Sequence, residues 1–135
     1  MNLFVDTSVW SLALRRDAPA ETREVAVRRR ALEEGSPPVF TTGLVLQELA
    51  QGFRGPRAEK AIATRMSALP LLIPDRRDHV DAARLRNHCR QNGVRIGTID
   101  ALLAQLRVRH GLQILTTDRD FGHVGRHSEL VLART

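Results

Sequence analysis

The chain has 135 residues, a net charge of +6 and one cysteine, Cys89. That length suits one domain, 1–135, with a core of its own, and a lone cysteine excludes a disulfide framework and a cysteine-based zinc site. No apolar run approaches the roughly 20 residues that span a bilayer, and the N-terminus lacks the pattern of a secretory signal, so a soluble, cytoplasmic chain is expected. Lys60 is the only lysine among 21 basic residues. Arginine suits polyanions, although an Arg- and Ala-rich composition also follows from a GC-rich genome. The absence of tyrosine argues against base-stacking platforms.

Leu3–Val5 reads as a short buried strand that runs straight into Asp6. Ligands in open α/β sheets bind just outside the carboxyl ends of strands. Asp6 is therefore either placed for chemistry or a turn or cap residue. Thr7 or Ser8 can cap a helix over Ser8–Arg15, with Val9, Trp10, Leu12 and Ala13 on its apolar side. Asp17-Ala18-Pro19 is a break, and Glu21–Glu34 a charged helix. Its Arg28-Arg29-Arg30 run reads as a solvated face rather than a phosphate site.

Val39-Phe40-Thr41 forms a second strand, and Thr41 or Thr42 caps a helix through Gln51. Val45, Leu49 and Phe53 mark its buried side. Glu48 is the odd residue there, at the edge of the core or facing a polar pocket. A helix follows from about Arg57 to Ala68, then a third strand, Leu69–Ile73, between Pro70 and Pro74. Asp75 and Asp78 have the spacing of a helix-starting pair, opening a helix to about Gln91 with Ala82, Leu85 and Cys89 inward.

Thr98 opens the next helix, with Ile99, Leu102, Leu103 and Leu106 on one apolar stripe. Asp100 lies off that stripe in the first turn, where an acid also favours the helix dipole. Gly111 ends the helix. Gln113–Thr116 is a fourth strand leading into Asp118, which repeats the arrangement of Asp6, and Leu130–Leu132 supplies a fifth. The alternation predicts an α/β fold, a three-layer α/β/α sandwich with a central parallel sheet of four to five strands.

Set in order, these acids resemble a PIN domain, and within that family a VapC-type toxin ribonuclease. The matching residues are Val5-Asp6-Thr7-Ser8-Val9, Glu48 in a helix, Thr98-x-Asp100-Ala101, and Thr116-x-Asp118-x-Asp120-Phe121. The resemblance implies that Asp6, Glu48, Asp100 and Asp118 converge on a divalent metal site that cleaves RNA. It also implies a cognate VapB-like antitoxin and a homodimer of toxin chains. Thr7 and Thr98 resemble hydroxyl residues that brace the acids or the metal's waters. Asp120 is either an outer support of the site or a turn residue.

The chemistry is coherent without the family. Phosphodiester hydrolysis needs an activated water and stabilisation of charge on the phosphoryl oxygens, which hard cations supply. Carboxylate-only ligation suits Mg²⁺ or Mn²⁺ rather than zinc. Arg15, Arg16, Arg95 and Arg119 are the candidates for holding an RNA backbone, by sequence proximity to the acids. Metal-free catalysis by His79, His88, His110, His123 or His127 is disfavoured, because only His123 follows a strand-end acid. Ser8 as a nucleophile lacks a base beside it. A non-catalytic Mg²⁺-binding receiver-like module would need paired acids at the first strand and a lysine ending its last strand. An inactive RNA-binding module would have lost some of the four acids.

Overall fold

Alternating strands and helices follow one another in a computed structural model that describes residues 2–15, 22–125 and 131–132. In chain order they are β1 (Leu3–Val5), α1 (Thr7–Ala13), α2 (Arg23–Glu34), β2 (Val39–Thr42), α3 (Gly43–Gly52) and α4 (Pro56–Met66). Then come β3 (Leu71–Leu72), α5 (Arg76–Gln91), α6 (Thr98–Arg109), β4 (Gln113–Leu115), α7 (Arg119–Gly125) and β5 (Val131–Leu132). The strands form one parallel sheet in the order β3-β2-β1-β4-β5.

Side chains alternate across a strand, and β4 shows the consequence. Leu115 joins a core with Val9, Trp10, Val25, Val45, Leu49 and Ile62, from α1 to α4. Ile114 joins a second core with Ala82, Cys89, Ala104, Leu106 and Phe121, from α5 to α7. Helices thus cover both faces of the sheet, the expected three layers. The chain leaves β1 for β2 on one side, whereas β4 enters on the other. The reversal opens a crevice at the carboxyl ends of β1 and β4, where such sheets place their ligands.

Several local expectations change. α1 begins at Thr7, and its N-cap is Asp6 rather than Thr7 or Ser8. The third strand has only two residues, since Pro70 and Pro74 interrupt the run at either end and proline cannot donate to a ladder. α7 was not expected, because Gly122 and Gly125 depress the helical signal. Ile99 is 47% exposed, and the buried face of α6 runs instead through Ala101, Leu102, Leu103, Ala104, Leu106 and Arg107. Its first turn stands at the rim of the second core. The predicted residues Glu21 and Leu130 lie outside the described residues.

Thr22 and Thr42 cap α2 and α3, each hydroxyl accepting from the amide three residues on. Asp75 and Asp78 form a reciprocal capping box at the start of α5, as their spacing predicts. Arg109 at the end of α6 closes on the same point, with Nε 2.6 Å from Asp78 Oδ1. This contact is an ion pair rather than a well-aligned hydrogen bond, since that oxygen lacks a bonded donor. The open end of the α5–α6 hairpin is thereby pinned, with Asp100 at the opposite end, beside the loop that joins the two helices. Among the described residues no helix is long and apolar enough to cross a membrane.

Candidate active site

Asp6 sits at the crevice because β1 is buried throughout and ends there. Its amide donates to the Leu115 carbonyl at 2.9 Å, continuing the β1–β4 ladder by one residue. Its carbonyl accepts the first amides of α1, from Val9 and Trp10. Asp6 is the N-cap of α1 by its backbone alone, and its carboxylate makes no capping bond. Asp6 is 6% exposed.

Two hydroxyls hold that carboxylate. Ser8 Oγ donates to Asp6 Oδ2 at 2.8 Å, and Thr116 Oγ1 donates to the same oxygen at 2.9 Å. Each hydroxyl also accepts a backbone amide from the β4–α7 turn. Thr117 N–H reaches Ser8 Oγ at 3.1 Å, and Asp118 N–H reaches Thr116 Oγ1 at 2.9 Å. The turn carrying Asp118 is therefore stitched to the turn carrying Asp6.

Asp100 stands half-buried in the first turn of α6, and Glu48 is exposed on α3. Their electrical proximity is recorded at Glu48. Partial burial of its carboxyl, then the charges of Asp100 and Asp6, raise its pKa above the ordinary 4.5. Three acids from β1, α3 and α6 thus feel one another across the crevice. They do not close on a point: among the described residues no three His, Cys, Asp or Glu side chains are close enough to grip an ion together.

The other candidates divide. Thr7 Oγ1 is buried without a hydrogen bond, and Thr98 is exposed at the start of α6. The hydroxyls that reach Asp6 belong to Ser8 and Thr116. Asp120 falls on α7, but its side chain lies outside the described residues, as do Arg16 and His127. His79, His88, His110 and His123 are all exposed.

One residue went unread in the sequence. Arg107, on α6, is wholly buried, with its guanidinium carbon 4.1 Å from the centre of the Phe4 ring and 4.7 Å from that of Phe121. Its Nη2 lies 3.9 Å from Asp6 Oδ1. Burial lowers its pKa to about 9, against the pull of Asp6 and Asp100. The signal was available: Arg107 follows Leu103 by four residues and Asp100 by seven, at the edge of the apolar stripe and in line with the acid.

The sequence matches the PIN domain over residues 3–127. The chain belongs to the PIN domain family. Ribonuclease VapC11 of Mycobacterium tuberculosis is 28% identical over 133 residues, covering 97% of each chain. The fold of this PIN domain is shared with a chain of VapBC2 from Rickettsia felis, solved bound to promoter DNA, at a TM-score of 0.77 and 18% identity over 98% of both chains. VapC20 of M. tuberculosis, a sarcin-ricin loop cleaving toxin, superimposes at a TM-score of 0.69 with 23% identity, over 98% of this chain and 99% of that one.

The arginines of this PIN domain are spread around the site. Arg119 immediately follows Asp118 at the start of α7. Arg95 shares a cavity of about 760 Å³ with Arg86 and Arg90, beside the start of α6. Arg15 follows α1, which leads away from the crevice, and lines a separate cavity with Arg57 and Arg65.

Proposed function

We propose that this chain is the RNA-cleaving toxin of a toxin–antitoxin pair, with Asp6, Glu48, Asp100 and Asp118 forming a Mg²⁺- or Mn²⁺-dependent hydrolytic site. The observation that carries this reading is the buried Asp6 carboxylate past the end of β1, held by Ser8 and Thr116 and tied through Thr116 to the Asp118 turn, with the Glu48 carboxyl raised by burial and then by the charges of Asp100 and Asp6. Acids from separate elements that repel across a crevice are a place for a cation. Ribonuclease VapC11, alignable along 97% of the chain, supplies the substrate class.

The donor set fits such an ion. It is all oxygen, and the only cysteine, Cys89, is buried in the second core. Mg²⁺ keeps several waters and needs only one or two direct carboxylates, so a spread of acids matches its coordination better than a tight cage would. When bound, the ion supplies an activated water at neutral pH and stabilises charge on the phosphoryl oxygens. Asp6 is the fixed ligand, held by Ser8 and Thr116. Asp118 is positioned through its amide, Glu48 and Asp100 complete the acid cluster, and Thr7, Thr98 and Asp120 support it. Arg119 and Arg95 hold the RNA backbone.

A VapB-like antitoxin is the expected partner, reaching the acidic crevice with a basic side chain. A second toxin copy completes a homodimer. RNA cleavage in Mg²⁺ or Mn²⁺, with EDTA as control, tests the reading. Asp6→Asn keeps the volume and removes the ligand charge, so it should fold and fail to cleave. Full activity in that variant or in excess EDTA overturns the metal mechanism.

A further inference from the structure

Arg107 is the only basic residue buried among the described residues. None of its three guanidinium nitrogens has a hydrogen-bond partner. Two phenylalanine faces and one carboxylate oxygen at 3.9 Å are its principal company. A guanidinium desolvated in this way is expensive, and an apolar side chain of similar volume is often neutral or better at such a place. The two ring faces offset only part of that cost, so packing alone does not account for a charge here.

The site does. Arg107 follows Asp100 by seven residues on α6, so the two share one face of the helix. Its charge is felt by Asp6 and Asp100, and its pKa of about 9 keeps it protonated at neutral pH. A fixed positive charge thus lies directly behind the acids proposed to hold a cation.

We propose that Arg107 is a built-in counter-cation of the carboxylate site, a positioning residue that holds Asp6 and lowers the site's affinity for divalent metal. The inference rests on the metal-dependent reading above. Without metal, Arg107 offsets part of the repulsion among the acids. With metal, it opposes the ion, because like charges a few ångströms apart repel strongly at the effective dielectric of about 20 found in protein sites.

The test is Mn²⁺ binding by titration calorimetry to wild type, Arg107→Met and Arg107→Lys, with melting curves in EDTA and in Mn²⁺. Arg107→Met should bind Mn²⁺ at least about tenfold more tightly and gain more melting temperature from it. Arg107→Lys keeps the charge and should stay within about threefold of wild type. If Arg107→Met fails to fold, Arg107→Gln removes the charge in a polar side chain, and the same tightening is required of it. Unchanged or weaker Mn²⁺ affinity in the neutral variant overturns the inference while leaving the metal-dependent nuclease intact. A lysine variant that tightens as far as methionine also overturns it, since packing and not charge would then be at work. If neither wild type nor neutral variant binds Mn²⁺, the metal reading falls and this inference with it.

Discussion

Thr116 Oγ1 donates to Asp6 Oδ2 at 2.9 Å while accepting the Asp118 amide at 2.9 Å, so one hydroxyl couples two acids from opposite sides of the topological switch. Thr116→Val keeps the shape and removes both bonds. Ser8 still holds Asp6, so the fold should survive with a loss of about 2–3 kcal/mol, the net worth of one neutral and one charged hydrogen bond. Positioning is more sensitive than stability. RNA cleavage should fall by about tenfold, because a small misplacement of a catalytic group is costly. Cleavage at the wild-type rate would show that Asp6 needs no such brace.

Asp6 was legible because an apolar strand stepping into an aspartate is a local pattern; Asp118 repeats it less directly, three residues past the end of β4 at Leu115 rather than just past a strand through Thr116. The braces were not. Ser8 and Thr116 are 108 residues apart, and their meeting depends on β4 entering beside β1, which periodicity does not reveal. The choice of Thr7 and Thr98 as bracing hydroxyls came from the resemblance and not from geometry. Arg107 was passed over because a charge at the end of an apolar stripe reads as the edge of a helix face. Here α6 is buried on nearly every side after its first turn, so the edge does not exist. The capping pair Asp75 and Asp78 was readable, because its whole interaction lies within one turn.

That capping pair has a pH signature. The Asp78 amide above all, with the charge of Arg109 and further hydrogen bonds, holds the Asp75 carboxyl below its ordinary 3.8, against a desolvation effect second only to that amide. An acid whose folded pKa is depressed adds stability that is present above the unfolded value and lost as pH falls through the folded one. Asp75→Ala should therefore melt lower than wild type at neutral pH, and the gap should close as pH drops below about 3.8. A gap that persists in strong acid would assign the effect to something other than the carboxylate.

Asp78 is fully buried and serves both the cap and Arg109. Asp78→Ala removes the amide bond at the start of α5 and leaves the Arg109 guanidinium without its closest partner. A loss of about 2 kcal/mol is expected in denaturant unfolding, combining a lost cap with a lost ion pair to a buried carboxylate. The acids at the other end of the hairpin are untouched, so Mn²⁺ affinity should stay at the wild-type value. Weakened metal binding would mean that the pin also sets the position of Asp100.

RNA affinity should carry the imprint of the arginines. Measured on Asp6→Asn to prevent turnover, binding to single-stranded RNA should weaken with salt by about 0.7 log units per log unit of salt for each phosphate contact. Arg95 and Arg119 are both exposed, Arg95 just ahead of α6 and Arg119 next to Asp118. Replacing both with alanine should flatten the slope by about 1.4 if each touches one phosphate. An unchanged slope would place the RNA path elsewhere, with the arginines around Arg15 the next to test.

Glu48 offers the sharpest separation between a cation site and unrelated acids. Its carboxyl is raised by burial, then by Asp100 and Asp6, whereas the charges that hold up Arg107 are those of Asp6 and Asp100. Glu48 is thus the acid on which the repulsion falls. An acid with a raised folded pKa binds its proton more tightly in the folded state. Its contribution to stability is full below the ordinary 4.5 and declines as pH rises through the raised value. Glu48→Gln removes that decline. In EDTA at neutral pH the variant should melt higher than wild type, and below about pH 4 the two should coincide. The side chain is exposed, so solvent screens the effect and the shift should be small. Mn²⁺ should reverse the order. A bound cation favours the ionised carboxylate, so wild type gains more melting temperature from metal than the glutamine variant does. A glutamine variant that melts with wild type in EDTA and responds equally to Mn²⁺ would take Glu48 out of the site and leave Asp6, Asp100 and Asp118 as its acids.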